Sequence, residues 1–304
     1  MILTVLIFGL TAGTALSAVR NGAWPVELLT HYRPLAIAVS VALGLVALLL
    51  GEYIPATVAI GLAMLNWALM PSFKWLQPDA SVATQPGLTI VWANVWTKRT
   101  ALERTLRWAQ AQGADIILIG EFPDGDSADP TLAPDYPHRL DAMPGIATPK
   151  WSSRVVAFSK LPILDSKIVP APSGFPRPFL AFTVEVGDAG ALNVYAVHPT
   201  APMAPKLQRD RDAMIDVLAK IVAEPFAIAG DFNATPWCRI FSRIPGARVG
   251  RAFRTTWLTN IPLVGLPIDH IMVSAGVKPS LYAPGPFLGS DHRPVIARLH
   301  PPPR

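Results

Sequence analysis

Three apolar stretches without a charge open the chain, Met1–Val19, Pro34–Gly51 and Tyr53–Phe73. Each approaches the ~20 residues with which a helix crosses a hydrocarbon core, so the pattern predicts three transmembrane helices. Pro34 suits a helix start, and the Gly51-Glu52 connection is short enough to make the second and third segments a hairpin. Trp67 and Trp75 fit interfacial positions near the end of the third. A signal peptide is the rival reading of the first stretch, because Ala15-Leu16-Ser17-Ala18 resembles a small-residue cleavage site, although the basic segment such a signal carries is missing.

From Pro78 to Pro86 the apolar periodicity stops and the chain reads as a linker. This divides it into a membrane domain over residues 1–76, a linker over 77–86 and one body over 87–304. Within the body, short apolar runs alternate with turn signals: Leu88–Val95, Asp115–Ile119, Val155–Phe158, Leu180–Val186, Ala191–Val197, Phe226–Ala229, Ile268–Val273 and Pro294–Leu299. Their lengths suit strands. Thr100–Gln112 and Pro205–Ala223 are amphipathic and predict helices, so the body reads as a mixed α/β layer structure.

Composition sharpens this division. With 51% hydrophobic and 15% charged residues, whole-chain disorder is excluded. Before Leu76 the only charges are Arg20, Glu27, Arg33, Glu52 and Lys74. The net charge of +5 is spread without a run of Lys and Arg, which weakens an electrostatic case for nucleic acid. The single cysteine, Cys238, excludes a disulfide framework within the chain and a zinc site built from several cysteines; buried packing is its expected role. His31 and His138 read as ordinary loop histidines, and Pro301-Pro302-Pro303 as a frayed tail. Arg209-Asp210-Arg211-Asp212 reads as the solvated face of the second amphipathic helix, with Arg211 placed to reach a substrate.

The candidate chemistry is positional. Several apolar runs end in a polar residue suited to metal or phosphate chemistry: Asn94, Glu121, His198, then Asp231 and Asn233. Asp269-His270 opens another run, and Ser290-Asp291-His292 precedes the last. Strand ends are rigid points from which side chains converge on one pocket. Taken singly, each residue has a bland reading as a turn, a cap or a surface carboxylate. Neighbouring side chains in a strand point to opposite faces, so Asp291 and His292 share one metal only through an irregular backbone. Together, Glu121 and Asp291 offer hard oxygens that favour Mg²⁺ or Mn²⁺ over a structural zinc. Asp231 is placed to orient or deprotonate a water, Asn94 and Asn233 to hydrogen-bond phosphate, and two histidines to stabilise charge on phosphorus.

The order Asn94, Glu121, His198, Gly230-Asp231-Phe232-Asn233, Ile268-Asp269-His270-Ile271 and Ser290-Asp291-His292-Arg293-Pro294 resembles the endonuclease/exonuclease/phosphatase superfamily over about Leu88 to Leu299. The resemblance implies a four-layer α/β sandwich of two mixed sheets flanked by helices, here preceded by the three transmembrane helices. It implies Glu121 as principal Mg²⁺ ligand with Asn94 beside it and Asp291 near or on the metal. Asp231 would position or activate the attacking water, Asn233 would hold that water and the phosphate, and Asp269 and His292 would form a carboxylate–imidazole pair. His198 matches a phosphate-contacting histidine and disfavours the abasic-site branch, which usually has tyrosine there. Two departures stand out: Gly120 where the family often has Gln, and Arg154-Val-Val-Ala-Phe-Ser-Lys160 in place of the family's Gly- and Arg-containing strand.

Similarity to bacterial relatives with several N-terminal spans implies a multi-pass inner-membrane protein with its body outside the cytoplasm, whereas Arg20 and Arg33 in the first loop argue for the opposite orientation. The leading expectation is a membrane-anchored, divalent-metal phosphodiesterase or phosphatase acting by in-line attack of water on a phosphate ester, with a lipid-linked substrate suggested by the apolar head. A nuclease of broad specificity is the first alternative, disfavoured by the balanced charge of the body. A membrane-tethered binding domain without turnover is the second. The sequence gives no ground to infer a protein partner.

Overall fold

The computed structural model describes residues 2–18, 24–70, 75–125, 127–143, 153–172, 177–250, 253–261 and 264–302. The first apolar stretches do form helices: α1 Ile2–Ala18, α3 Arg33–Leu49 and α4 Tyr53–Ala68, with the short α2 Val26–Thr30 between the first two. Pro34 stands in the first turn of α3, and α3 and α4 pack as a hairpin, with Gly44 against Ala56, Ala59 and Ile60. At 17, 17 and 16 residues, α1, α3 and α4 rise roughly 25 Å, short of a hydrocarbon core of about 30 Å. Among the described residues no helix is long and apolar enough to cross a membrane. This corrects the expectation of three spans, and with it the multi-pass inner-membrane location. The apolar stretches overshoot their helices: α4 ends at Ala68 although the uncharged run continues to Phe73. Met1, Val19, Arg20, Phe73, Lys74 and Pro303 lie outside the described residues.

Trp75, expected at a membrane interface, belongs to a sheet instead. It opens β1 Trp75–Leu76, which pairs in parallel with β10 Ala247–Val249, and its ring lies 4.6 Å from the Arg248 guanidinium. The remaining strands are β2 Leu88–Asn94, β3 Ile116–Gly120, β4 His138–Asp141, β5 Val156–Ser159, β6 Ile163–Val169, β7 Phe179–Glu185, β8 Ala191–Val197, β9 Phe226–Asp231, β11 Asp269–Val273, β12 Lys278–Pro284 and β13 Val295–His300. One sheet has the order β1-β10-β11-β9-β8-β7-β6, the other β12-β13-β2-β3-β5-β4. Both are mixed: β2 and β3 run parallel in the second, and β8 and β9 in the first, among antiparallel neighbours.

Alternation along the strands builds the layers. Leu88, Ile90 and Trp92 of β2, Ile116 and Leu118 of β3, Leu192, Val194 and Ala196 of β8, and Ala227 and Ala229 of β9 face each other between the sheets. Their neighbours face outward. Val91, Ala93, Ile117 and Ile119 receive Leu102, Leu106 and Ala109 of α5 Arg99–Ala111. Tyr195, Val197 and Ile228 receive Met214, Ile215 and Leu218 of α6 Pro205–Ile221. The result is helix, sheet, sheet, helix, the α/β sandwich expected.

The Arg209–Asp212 segment of α6 is only partly a solvated face, with Arg209 exposed and Asp212 half-buried. Asp210 and Arg211 are buried, and Arg211 Nη2 lies 2.6 Å from Glu27 of α2 and 2.8 Å from Asp212. Arg211 therefore clamps α2 to the sandwich instead of reaching toward a substrate. His31 and Cys238 join the same contact: Trp237 Nε1 donates to the His31 carbonyl at 3.0 Å, and His31 Nδ1 lies 3.7 Å from the thiol. Burial would raise the Cys238 thiol, but His31 overcomes it and brings it down to about 7. His138, expected in a loop, opens β4.

Candidate active site

Five strand ends deliver the site. In the parallel pair β2/β3, Asn94 is in register with Gly120, so Asn94 and the next residue of the other strand, Glu121, emerge together. In the antiparallel pair β9/β11, Asp231 is in register with Asp269. His198 follows β8, whose parallel alignment sets Val197 opposite Gly230. A side chain at Gly230 has no room, since its Cβ would fall 2.2 Å from the Val197 carbonyl oxygen. Glu121 and Asn233 both have left-handed backbones, with φ of 50° and 47°. Asn tolerates this conformation; for Glu it costs about 1 kcal/mol or more and is held where the chain must turn a side chain into a site.

Asn94 is the hub. Its Nδ2 donates to Glu121 Oε1 at 3.0 Å and to Asp231 Oδ2 at 3.1 Å, while its Oδ1 accepts the Trp96 amide at 2.9 Å. His198 Nε2 lies 3.4 Å from Asp231 Oδ2 and 3.8 Å from Glu121 Oε1. On the other side, His292 Nε2 stands 3.7 Å from the same Asp231 oxygen, and its Nδ1 bonds Asp269 Oδ2 at 2.8 Å. The second Asp231 oxygen accepts the Asn233 amide at 2.8 Å, and Asn233 Nδ2 donates to the Pro199 carbonyl at 2.9 Å, tying the His198 loop to β9. Seven of the expected residues are thus brought together: Asn94, Glu121, His198, Asp231, Asn233, Asp269 and His292.

Asp291 stands apart in its contacts. Its carboxylate accepts from Trp257 Nε1 at 3.0 Å and from the Ser290 hydroxyl at 3.3 Å. His270, next to Asp269, points to the opposite face of β11, where it meets Arg248, Phe232 and Phe241; burial and the Arg248 charge hold it well below the ordinary histidine range. The alternation that brings in Asp269 takes His270 away.

Charge is distributed unequally over the site. Burial would raise Asp231, yet the adjacent His292 and His198 hold it well below the usual carboxylate range. Burial would lower His292, but Asp269 and Asp231 push it up to about 10, so the ring is an imidazolium at neutral pH. Arg177 was not among the expected residues; burial lowers its guanidinium, and the carboxylates of Glu121, Asp231 and Asp210 only partly offset this. Its signal in the sequence is a cation between two prolines just ahead of β7.

Two donor sets are candidates for a cation. Among the described residues, Asp231, Asp269 and His292 place one ligand atom each within 4.8 Å of one another. Both Asp269 oxygens are already engaged, one by His292 and the other by Trp92 Nε1 at 2.9 Å, which makes this group a hydrogen-bonded relay. Glu121 and Asp231 share the Asn94 amide, and the Glu121 side chain keeps 25% of its surface exposed at the mouth. Hard oxygens with one open side fit Mg²⁺ or Mn²⁺.

Carboxylates and imidazoles thus converge at the strand ends of two mixed sheets. The sequence matches the endonuclease/exonuclease/phosphatase family over residues 91–292, and the chain belongs to that family, whose members are phosphoesterases and nucleases. No curated protein sequence matches it. Among solved structures, it is similar to an endonuclease/exonuclease/phosphatase from Beutenbergia cavernae, with 18% identity, a TM-score of 0.57 and 72% of each chain covered. It also resembles sphingomyelinase C from Streptomyces griseocarneus, at 18% identity and a TM-score of 0.51, covering 70% of this chain and 99% of that one. The 3′ phosphatase NExo from Neisseria, bound to a product DNA hairpin, aligns at 17% identity and a TM-score of 0.51 over 69% and 98% of the two chains. At these identities the likeness concerns the fold.

Proposed function

We propose that the chain is a divalent-metal-dependent hydrolase of phosphate esters, working by in-line attack of water. The observation that carries this reading is Asp231: a buried, ionised carboxylate flanked by His198 and His292 and joined to Glu121 through Asn94. Mg²⁺ or Mn²⁺ held by Glu121, beside Asn94, would supply positive charge to a phosphoryl oxygen. The protein's own groups perform the remaining tasks. An acid held this far below its usual range is a weak base, so Asp231 acts chiefly by accepting a hydrogen bond from the water and aiming its lone pair at phosphorus. Asn94 and Asn233 fix that carboxylate from both sides. The His292 imidazolium, backed by Asp269, donates to a phosphoryl oxygen as negative charge grows on it. As the water oxygen bonds to phosphorus its proton becomes acidic and passes along the hydrogen bond to Asp231, while the bond to the leaving oxygen breaks on the opposite side and that oxygen departs as the anion. Arg177 adds positive potential over the same acidic groups.

The test is hydrolysis by the full chain of bis(4-nitrophenyl) phosphate, 4-nitrophenyl phosphate, plasmid DNA and sphingomyelin, each with Mg²⁺, Mn²⁺ or chelator. Turnover that requires the metal supports the reading, and the preferred arm names the ester class. A folded chain that binds these esters without turning any over, under either metal, overturns it in favour of a binding domain.

A further inference from the structure

A tryptophan in the inter-sheet core makes a direct bond to the site. Trp92 lies on β2 two residues before Asn94, on the same face of the strand, and is fully buried between the sheets. Its Nε1 donates to Asp269 Oδ1 at 2.9 Å, across the gap between the two sheets. The other oxygen, Oδ2, is the one that bonds His292 Nδ1 at 2.8 Å. The Asp269 main-chain amide is held as well, by the Thr256 hydroxyl at 3.1 Å. The carboxylate plane is therefore set at both oxygens, and the indole N–H is one of the two bonds that set it.

The indole reaches this position because the neighbouring strand of its own sheet, β3, leaves it space. Gly120 stands opposite Asn94 in register, and a Cβ there would lie 2.8 Å from both Trp92 Cη2 and Cζ2. Such a contact is not tolerated between rigid groups, and Trp92, packed on every side, has nowhere to retreat. The φ of Gly120 is ordinary, so its small size serves the neighbouring ring and not the backbone.

We propose that Trp92 is a positioning residue for the Asp269–His292 pair, and that Gly120 is its matching small residue. The inference rests on the phosphate-ester hydrolase reading for its catalytic consequence and on the Trp92–Asp269 bond for its structural one. Without the indole N–H, a carboxylate oxygen with no access to solvent loses its donor, and rotation of the carboxylate is opposed only by His292.

Two readouts test it. In ¹⁵N-labelled full-length protein, the Trp92 indole signal, assigned by its disappearance in Trp92→Phe, is expected to be protected from solvent exchange and to move in Asp269→Asn. With bis(4-nitrophenyl) phosphate and Mn²⁺, Trp92→Phe is expected to lower kcat about 30-fold while KM changes less than about threefold. In an Asp269→Asn background the same substitution should lower kcat no further. Gly120→Ala, which keeps the N–H but displaces the ring, should reproduce the kcat loss and shift the indole signal, and it serves in place of Trp92→Phe if that variant unfolds. An equal fractional loss in both backgrounds, or an indole signal indifferent to Asp269→Asn, overturns the proposal. If the wild type turns over no ester, the hydrolase reading and the catalytic part of this proposal fail together, while the indole signal alone decides the bond.

Discussion

Asp269→Asn removes one charge from the core of the site and leaves its shape. The carboxylate now accepts two hydrogen bonds, from His292 Nδ1 at 2.8 Å and from Trp92 Nε1 at 2.9 Å, one on each oxygen. An amide has a single acceptor oxygen, so one of the two buried donors must face an NH₂ group. The bond to the imidazolium also loses its charge assistance. A hydrogen bond to a charged group contributes about 1.5–3 kcal/mol, which at about 1.4 kcal/mol per tenfold translates into a kcat loss of about 10- to 150-fold. Asp231 remains 3.7 Å from His292 and keeps part of its charge, so the variant should retain more activity than His292→Ala. The assay is steady-state hydrolysis of bis(4-nitrophenyl) phosphate at saturating Mn²⁺, with folding checked by circular dichroism. A folded variant whose kcat stays within about twofold of wild type would refute the assignment of the pair to the reaction.

The His292 ring also predicts how stability changes with pH. Its folded value of about 10 exceeds the ordinary 6.5 of an unfolded histidine, so the folded state binds the extra proton between them, and the contribution, complete below 6.5, is lost as pH rises toward 10. The difference in melting temperature between wild type and His292→Gln should shrink across that window, and a constant difference contradicts it. Glu27→Ala strands the buried Arg211 guanidinium with Asp212 alone and should cost about 3 kcal/mol in urea unfolding; a cost under about 0.5 kcal/mol would mark the pair as no better than a surface one. Glu121→Gln should raise the Mg²⁺ concentration for half-maximal activity at least about tenfold, and an unchanged metal titration would remove Glu121 from the ligand set.

Most of the sandwich was legible from strand periodicity because its interior strands are buried on both faces. The eight apolar runs correspond to β2, β3, β5, β7, β8, β9, β11 and β13. The strands without such a signal are β1, β6, β12 and β4, which are the four sheet edges, together with the three-residue β10. An edge strand such as β6 exposes most of its residues and so carries no apolar pattern to read. Hydropathy misled at the head because it counts apolar residues and not helical ones: nineteen uncharged residues at the start contain a helix of 17, and the run that ends at Phe73 outlasts its helix by five residues. In the site, residues at strand ends announced themselves through polar side chains after apolar runs. Trp92 did not, because a tryptophan inside an apolar strand looks like packing until its N–H has a partner. Arg211 misled for the converse reason, since a charge on an amphipathic helix looks solvated until α2 covers it.

The role proposed for Asp231 is to guide water to the phosphorus of the ester. Its most direct test is the rate of 4-nitrophenol release from bis(4-nitrophenyl) phosphate by wild type and by Asp231→Asn, each saturated with Mn²⁺. Metal-dependent release by wild type is expected, with a fall of at least about a thousandfold in the variant and no loss of fold. Release by Asp231→Asn at the wild-type rate would contradict it.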